Sequence, residues 1–389
     1  MASNFNPKVF RWARESSGLT LDEAAHSIGI VQASLAAIEN GEKTPSRTNL
    51  AHMAKTYRRS LLTLYLPTPP ERGDRGEDFR TVVAERTVEA DAVVDALVRD
   101  LKTRQNLVRT VLADEEGTEP LRFIGSASMT DGVARLRESI EQQLKLTCAE
   151  FRAQGSVDAA FSMLRERIEQ AGIFVLLAGN LGSHHSDIPV EAFRGFAIAD
   201  PIAPFIVINN SDAKSAWSFT LLHELAHLWL GATGVSGGGF QEQRIEQFCN
   251  DVAAAFLLPQ ADVATINLAG LDKDAQIAAI AECAARWRIS RQMVAYALYK
   301  ANHITLAAWK ALESAIREQW IAERIRDKEL ARGKTTGPSY YVIRRHRLGH
   351  AMLEFAHRAM DAGTLSPVKA AKVLGVKPRS VYPLLSLAP

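Results

Sequence analysis

The sequence lacks the features of a secreted or membrane protein. Its 389 residues include only three cysteines, Cys148, Cys249 and Cys283, which are widely spaced and match no disulfide or metal-binding motif. This use of cysteine suits a reducing compartment, and we interpret all three as small core residues. No apolar run is long enough to span a bilayer, and residues 1–11 lack the apolar centre of a signal peptide. We therefore expect a cytoplasmic protein without a membrane contact.

The chain as a whole carries little net charge, but its C-terminal segment is strongly basic. The formal net charge is +2, and the 47% of hydrophobic residues can fill the cores of two or three domains. Residues 331–389 hold ten Lys or Arg and two acidic residues, a balance of +8, so the rest of the chain carries −6. Such a basic segment indicates a nucleic-acid contact or an acidic partner, unless it is only a solvated surface.

His223, Glu224 and His227 form the pattern His-Glu-x-x-His inside an apolar run that is typical of a helix. Residues four apart share a helix face, so both imidazoles can contact one ion. Zinc suits such ligands and lowers the pKa of a bound water from ~16 towards ~7. Glu224 is placed to take a proton from that water as the general base. The alternative, a helix with two surface histidines, suits so apolar a run poorly.

A catalytic zinc needs a third protein ligand and one open position. A second helix, ended by a proline, is predicted downstream, and Glu246 lies on it nineteen residues after the first pattern. Asn250, one turn later, is placed to orient a ligand histidine through its other ring nitrogen. Glu242 is the competing third ligand and Asp251 the competing outer group. An ordinary solvated Glu246 remains the alternative interpretation.

These positions lie in a longer stretch that resembles the ImmA/IrrE family of bacterial metallopeptidases. The matching residues, in order, are Gly195-Phe196, Pro204 to Asn209, Phe219 to His227, Glu246, Asn250, Ala253, Ala254 and Leu257-Leu258-Pro259. The resemblance implies a zincin-like fold with a short sheet beside the metal-binding helices. It also implies cleavage of repressor or antitoxin-like proteins that control stress, phage or mobile-element genes.

Short strands are predicted at 173–177, 194–199 and 205–208 from their apolar and β-branched content. An exposed edge among them can hold a peptide substrate in extended form by strand addition. His184 and His185 are candidates for a second oxyanion donor, although a solvated loop is the simpler interpretation of both.

A helix-turn-helix pattern occurs twice. Residues 20–30 have a capping hydroxyl, paired alanines, a glycine and an apolar residue, and residues 366–376 align with them without gaps. Around the first copy, residues 6–66 resemble the phage-repressor-like (Xre-type) domains. A shared three-helix packing motif without a DNA function is the alternative for both copies.

In the Xre-type fold the N-terminal residues of the third helix, here residues 31–39, enter the major groove. The resemblance therefore implies base or phosphate contacts by Gln32 and Ser34. The third helix has no Lys or Arg, so the phosphate contacts fall to Arg11, Arg14, Lys43 and Arg47. A protein-docking or dimerisation domain on the same fold is the rival interpretation. Heads of this kind usually read two half-sites, so we expect a homodimer.

Four segments follow from these patterns. They are an Xre-type domain at 6–66, a linker and helical collar at 67–156, a zincin-like metallopeptidase domain at 157–330, and a basic helical module with a helix-turn-helix-like motif at 331–389. The fold class expected is mainly α with a small antiparallel-rich sheet (α+β).

The sequence therefore predicts a zinc-dependent endopeptidase fused to a DNA-binding head, which regulates transcription by cleaving a repressor or antitoxin-like protein. Two alternatives remain. One is a DNA-binding regulator whose peptidase-like domain is a sensor or a structural zinc site, and the other is the antitoxin of a toxin–antitoxin pair.

Overall fold

The computed structural model describes residues 5–70, 88–115, 117–181, 187–231, 240–332 and 339–386. The chain divides into two compact units. The first, which we call the head unit, comprises Met1–Arg75, Thr81–Lys102 and Asn180–Phe193. The second, the body unit, comprises Gly76–Arg80, Thr103–Gly179 and Arg194–Pro389. No helix of the described residues is long and apolar enough to cross a membrane.

Four helices and a short turn form the N-terminal part of the head unit. They are α1 (Pro7–Glu15), α2 (Leu21–Ile28), α3 (Gln32–Glu39), α4 (Arg47–Thr56) and a 3-10 turn at Leu61–Tyr65. Thr20 begins α2 with a capping box, in which its side chain and that of Glu23 satisfy each other's backbone N–H groups. Gly29 ends the helix in the left-handed conformation, at φ +82°. The core is made by apolar side chains from each of these elements, including Phe10, Ala24, Leu35, Leu50 and Leu64.

A buried ion pair joins α1 to α3. Both carboxylate oxygens of Glu39 accept hydrogen bonds from Arg14, at 2.8 Å from Nε and 2.9 Å from Nη2. The Arg14 side chain is only 13% exposed and also donates to the carbonyl of Leu19. The guanidinium is therefore held by Glu39 within the head, which gives Arg14 a structural role, and the phosphate contact predicted for it stays a prediction. Sequence reasoning placed Arg14 on a helix correctly but had no signal for its partner on α3.

Replacing Glu39 by Gln is expected to destabilise the head by about 1.5–3 kcal/mol, because hydrogen bonds to a charged group are lost in a buried setting. The measurement is hydrogen exchange of the α1 and α3 amides in the full chain. Glu42→Gln, at an exposed position just after α3, is the matched control and should leave exchange unchanged. Equal protection in the two variants would contradict a structural role for this pair.

The remaining helices begin with α5 (Val88–Thr110), which continues into a π-helical turn at Val111–Glu115. Helices α6 to α8 span Val133–Leu144, Cys148–Arg152 and Val157–Gln170. After the sheet come α9 (Lys214–Trp229), α10 (Phe240–Leu257), α11 (Gln260–Val263), α12 (Lys273–Trp287), α13 (Arg291–Lys300) and α14 (Leu306–Arg332). The last helices are α15 (Tyr340–Leu348), α16 (His350–Asp361), α17 (Pro367–Leu374) and α18 (Val381–Leu385), with 3-10 turns at Met129–Asp131 and Pro378–Ser380.

A three-stranded sheet lies in the body unit, with strands β1 (Phe174–Leu177), β2 (Gly195–Ile198) and β3 (Phe205–Ile208) in the order β1-β3-β2. All twelve strand residues are buried, because helices cover the sheet. The described residues are mostly helical and contain one small sheet, so the predicted fold class of mainly α (α+β) is confirmed.

The sheet itself is mixed rather than antiparallel-rich. β2 pairs with β3 antiparallel, whereas β1 pairs with β3 parallel. Six residues link β2 to β3, which suits a hairpin, but 27 residues separate β1 from β3. A connection of that length allows the chain to cross over and return in the same direction. Strand composition does not encode this choice, so the sequence predicted the strands and not their pairing.

Within the body unit, one buried arginine of α8 contacts both the sheet and the C-terminal helices. Arg165 donates to the carbonyl of Val175 in β1 and, at 2.6 Å, to the carbonyl of His346 in α15. Its Nε also donates to Glu169, one turn further along α8, at 2.9 Å. One guanidinium thus connects the sheet edge to the C-terminal helices.

Glu169 completes this connection by capping α16. Its Oε2 accepts hydrogen bonds from the backbone N–H groups of His350 and Ala351, at 2.9 and 3.2 Å. Gly349 occupies the N-cap position of α16 and has no side chain that could accept these hydrogen bonds itself. We refer to the Arg165–Glu169 pair and its backbone partners as the α8 clamp.

Candidate metal centre

Helix α9 holds His223, Glu224 and His227 inside the core of the body unit. Twelve of its sixteen residues are buried, because it packs against α8, α10, β2 and β3. The exposed fractions of the three residues are 1%, 2% and 3%. Buried polar side chains need partners, and α10 supplies those of the two histidines.

Glu246 on α10 meets both histidines. Its Oε2 lies 3.1 Å from Nε2 of His223, and its Oε1 lies 3.2 Å from Nε2 of His227. The two Nε2 atoms are themselves 3.1 Å apart. Among the residues that the structure describes, this is the only group of three His, Cys, Asp or Glu side chains with ligand atoms close enough to share a metal ion.

The donor set fits zinc. Two ligands about 2.1 Å from one tetrahedral ion are separated by about 3.4 Å, close to the three distances above. Two imidazoles and one carboxylate are a common set for catalytic zinc, and Oε2 of Glu246 is buried without a hydrogen-bond partner. Burial alone would raise the pKa of Glu246, but the two adjacent imidazoles of His223 and His227 outweigh it and lower that pKa to about 2. The carboxylate is therefore ionised at neutral pH, as a metal ligand must be.

Asn250 orients His223 from behind. Its Oδ1 lies 3.0 Å from Nδ1 of the imidazole. An amide oxygen only accepts, so Nδ1 carries the proton and Nε2 presents its lone pair to the centre. Asp251 instead accepts from Gln247 at 2.8 Å and lies 3.6 Å from Lys300, away from the histidines. The side chain of Glu242 lies outside the described residues, as do His184 and His185.

The other histidine has a different neighbour, which sequence reasoning did not connect with it. Nδ1 of His227 has no hydrogen-bond partner, and the thiol of Cys249 lies beside the ring. Burial raises the pKa of that thiol, which stays protonated at neutral pH. The available signal was spacing, since Cys249 follows Glu246 by three residues and shares its helix face.

Gly195 is a second residue that sequence reasoning left without a role. A Cβ atom at this position of β2 would lie 2.6 Å from Cγ2 of Thr220 and 3.0 Å from Oε1 of Glu224. The backbone of β2 therefore approaches α9 closely at the level of the Glu224 carboxylate. Only glycine fits this approach, which holds Glu224 between its helix and the sheet.

Gly195→Ala is expected to lower the free energy of unfolding by about 1–3 kcal/mol, because the added methyl group overpacks the interface and meets a stiff β-branched side chain. Denaturant unfolding of the full chain measures this. Gly155→Ala is the matched control, since a Cβ there meets nothing within 4 Å. The same stability for both variants would contradict the close approach.

The predicted DNA contacts of the head lie at the surface, apart from Arg14. Gln32, Lys43 and Arg47 are exposed, and the Ser34 hydroxyl accepts a hydrogen bond of 2.6 Å from Nζ of Lys43. Arg11 is half exposed and donates to Asn40 at 2.9 Å. The structure therefore brings Ser34 and Lys43 together, at the same end of α3 as Gln32.

Comparisons with known proteins find two family models that match parts of the chain. No curated protein and no solved structure matches the chain. Residues 169–299, which include all three strands and the metal-ligand candidates, match the family model Peptidase M78, described as the IrrE N-terminal-like domain. Residues 10–64 match the helix-turn-helix model HTH_3. The chain thus contains an Xre-type helix-turn-helix domain and an IrrE N-terminal-like domain of the Peptidase M78 type, as its resemblances predicted.

Proposed function

We propose that this chain is a zinc-dependent endopeptidase with a DNA-binding head, and that it regulates transcription in the cytoplasm by cleaving a repressor or antitoxin-like protein. The observation that carries the proposal is the convergence of His223, His227 and Glu246 within 3.2 Å of one another, with Glu224 next to them. The match to a Peptidase M78 family model supports the same activity class.

In this proposal each polar side chain of the centre has one task. His223 and His227 bind zinc through Nε2 and Glu246 binds it through its carboxylate, while Asn250 fixes the tautomer of His223. When bound, zinc supplies a Lewis acid that makes water a nucleophile at neutral pH. Glu224 accepts the proton of the attacking water on its carboxylate and then donates it to the leaving amine.

The helix-turn-helix domain has the second role, that of bringing the chain to DNA. We propose that Gln32 and Ser34 face the bases, and that Arg11, Lys43 and Arg47 contact phosphates. Two acidic residues in the first turn of α2, Asp22 and Glu23, are exposed in the same domain. Because these carboxylates repel phosphates, we expect one head to bind DNA weakly. The phosphate contacts make this binding depend strongly on salt. We also expect a homodimer, whose second head binds a second half-site.

A comparison of protein termini tests the activity and can identify the target. The host proteome is mapped for new N-termini after induction of wild-type protein, of Glu224→Gln and of the control Glu282→Gln, whose side chain is exposed on α12. The proposal predicts a cleaved regulator with the wild type and with the control, and intact regulator with Glu224→Gln.

A second function has one observation in its favour. His223, Glu224, His227 and Glu246 are all less than one tenth exposed, and a closed, buried site also suits structural zinc. The chain would then be a DNA-binding regulator whose peptidase-like domain is a sensor. Identical termini with all three proteins, together with bound zinc, would overturn the peptidase proposal in favour of this one.

A further inference from the structure

The C-terminal helices repeat the helix-turn-helix geometry of the head. Helix α17 begins after the capping hydroxyl of Ser366, as α2 begins after that of Thr20. Gly375 ends it in the left-handed conformation at φ +59°, as Gly29 ends α2. The residue after each glycine donates its N–H to the carbonyl five positions back, at 2.9 Å in the second copy and 3.0 Å in the first. The backbone therefore follows the same path through both turns.

The correspondence continues beyond the aligned motif. Adding 346 to a residue number of the first copy gives the corresponding residue of the second copy, so that Thr20 corresponds to Ser366. At five core positions, both residues of the pair are buried. These pairs are Ala24 and Ala370, Ala25 and Ala371, Ile28 and Leu374, Leu35 and Val381, and Ile38 and Leu384. The N–H of Ser380 donates to the carbonyl of Lys377 at 2.8 Å, as that of Ser34 donates to Val31 at 2.9 Å. The element that corresponds to α3 is the 3-10 turn at Pro378–Ser380 followed by α18.

The exposed positions of the two copies differ in charge. Glu23 in the first copy corresponds to Lys369 in the second, Val31 to Lys377, and Ala33 to Arg379; all six residues are exposed. The charge at these three positions changes from −1 to +3. They lie at the start of the first helix and around the start of the second, where helix-turn-helix domains meet the DNA backbone and groove.

Other charges of the C-terminal helices are used internally. Arg344 donates to the carbonyls of Leu374 and Gly375 at 2.6 and 2.8 Å, and Arg345 donates to that of Leu384 at 2.8 Å. The acidic residues after position 339 both lie on α16, outside the motif, and each is next to a histidine of the same helix. The basic surface of α17 and α18 is therefore not neutralised by acidic residues of its own motif.

We propose that residues 366–385 are a second helix-turn-helix element that binds double-stranded DNA, chiefly through its phosphates. Lys369, Lys377 and Arg379 are the contacts, and the charge of the motif matches the polyanion. Pro378 stands where the first copy has Gln32, so this element lacks the amide that pairs with adenine. It therefore adds affinity rather than sequence preference.

Fluorescence anisotropy of the full chain with a labelled 40-base-pair duplex of random sequence tests the proposal. The test variant is Lys369→Gln/Lys377→Gln/Arg379→Gln. The control variant Lys273→Gln/Arg286→Gln/Lys310→Gln removes the same charge from exposed positions on α12 and α14. Both should keep the wild-type unfolding temperature, since all six side chains are exposed.

The expected result is a loss of affinity of roughly 10–100-fold for the test variant and less than about 3-fold for the control. The slope of log K against log salt should fall by about 2–3 in the test variant, as for the loss of three phosphate contacts. Equal binding by the two variants would overturn the proposal. A loss of duplex affinity seen only in a third variant, Lys43→Gln/Arg47→Gln, would also overturn the proposal, because the head alone would then bind the duplex.

Discussion

Glu224→Gln is expected to lower the rate of target cleavage by about 10²–10⁴-fold while leaving the metal in place, because general-base catalysis contributes about that much. The amide keeps the size of the side chain and so fits between α9 and β2, where Gly195 leaves little room. It cannot accept the proton of the attacking water. The rate is measured with purified chain and the regulator identified by its new terminus.

Two comparisons separate loss of the base from loss of the fold. Glu282→Gln, which makes the same chemical change at an exposed position, should cleave at the wild-type rate. Glu246→Gln should also lose activity, but together with its zinc. A Glu224→Gln chain that cleaves within a few-fold of wild type would show that another group accepts the proton.

Glu169→Ala is expected to destabilise the body unit by about 3–5 kcal/mol, the usual cost of removing one partner of a buried ion pair. Arg165 would keep its charge in a setting where it is only 7% exposed. The start of α16 would lose its cap as well, since the N–H groups of His350 and Ala351 both donate to Glu169. Denaturant unfolding of the full chain gives the value, with the exposed neighbour Glu166→Ala as control.

The double variant Arg165→Met/Glu169→Met distinguishes a simple ion pair from the α8 clamp. Replacing both partners of an ion pair with apolar side chains often restores stability. Here the carbonyls of Val175 and His346 and the N–H groups of α16 would remain without partners. We therefore expect the double variant to stay at least about 2 kcal/mol below wild type. Recovery of wild-type stability would mean that the backbone contacts contribute little.

The parts of the fold that sequence predicted well are those set by local pattern. The apolar runs at 174–177, 195–198 and 205–208 are strands as expected, and the periodic segments before them are helices. The head was predictable for the same reason: its caps and its left-handed Gly29 are local devices with clear sequence signals.

The candidate centre was predictable because it rests on helical spacing. His223 and His227 share a face at four residues apart, and so do Glu246 and Asn250. Once both segments are helices, only their packing remains open, and the structure brings α9 and α10 together so that these faces meet. The choice of Glu246 over Glu242 came from where Asn250 falls, which is a weaker signal.

Contacts between distant segments were not predictable. Nothing local marks Glu39 as the partner of Arg14, so the structural role of that arginine could not be read from the sequence. The approach of Gly195 to Glu224 and the contact of Cys249 with His227 depend equally on tertiary packing. In each case the sequence contains the residue, and only the fold supplies its neighbour.

The zinc content of the purified chain shows whether His223, His227 and Glu246 bind a metal ion together. Inductively coupled plasma mass spectrometry is applied to wild type, His227→Ala, Glu246→Ala and Glu224→Gln after dialysis against metal-free buffer. We expect about one zinc per chain in wild type and Glu224→Gln, and less than about a tenth of that in the two ligand variants. A wild-type chain without zinc, or ligand variants that keep it, would contradict the assignment of this centre.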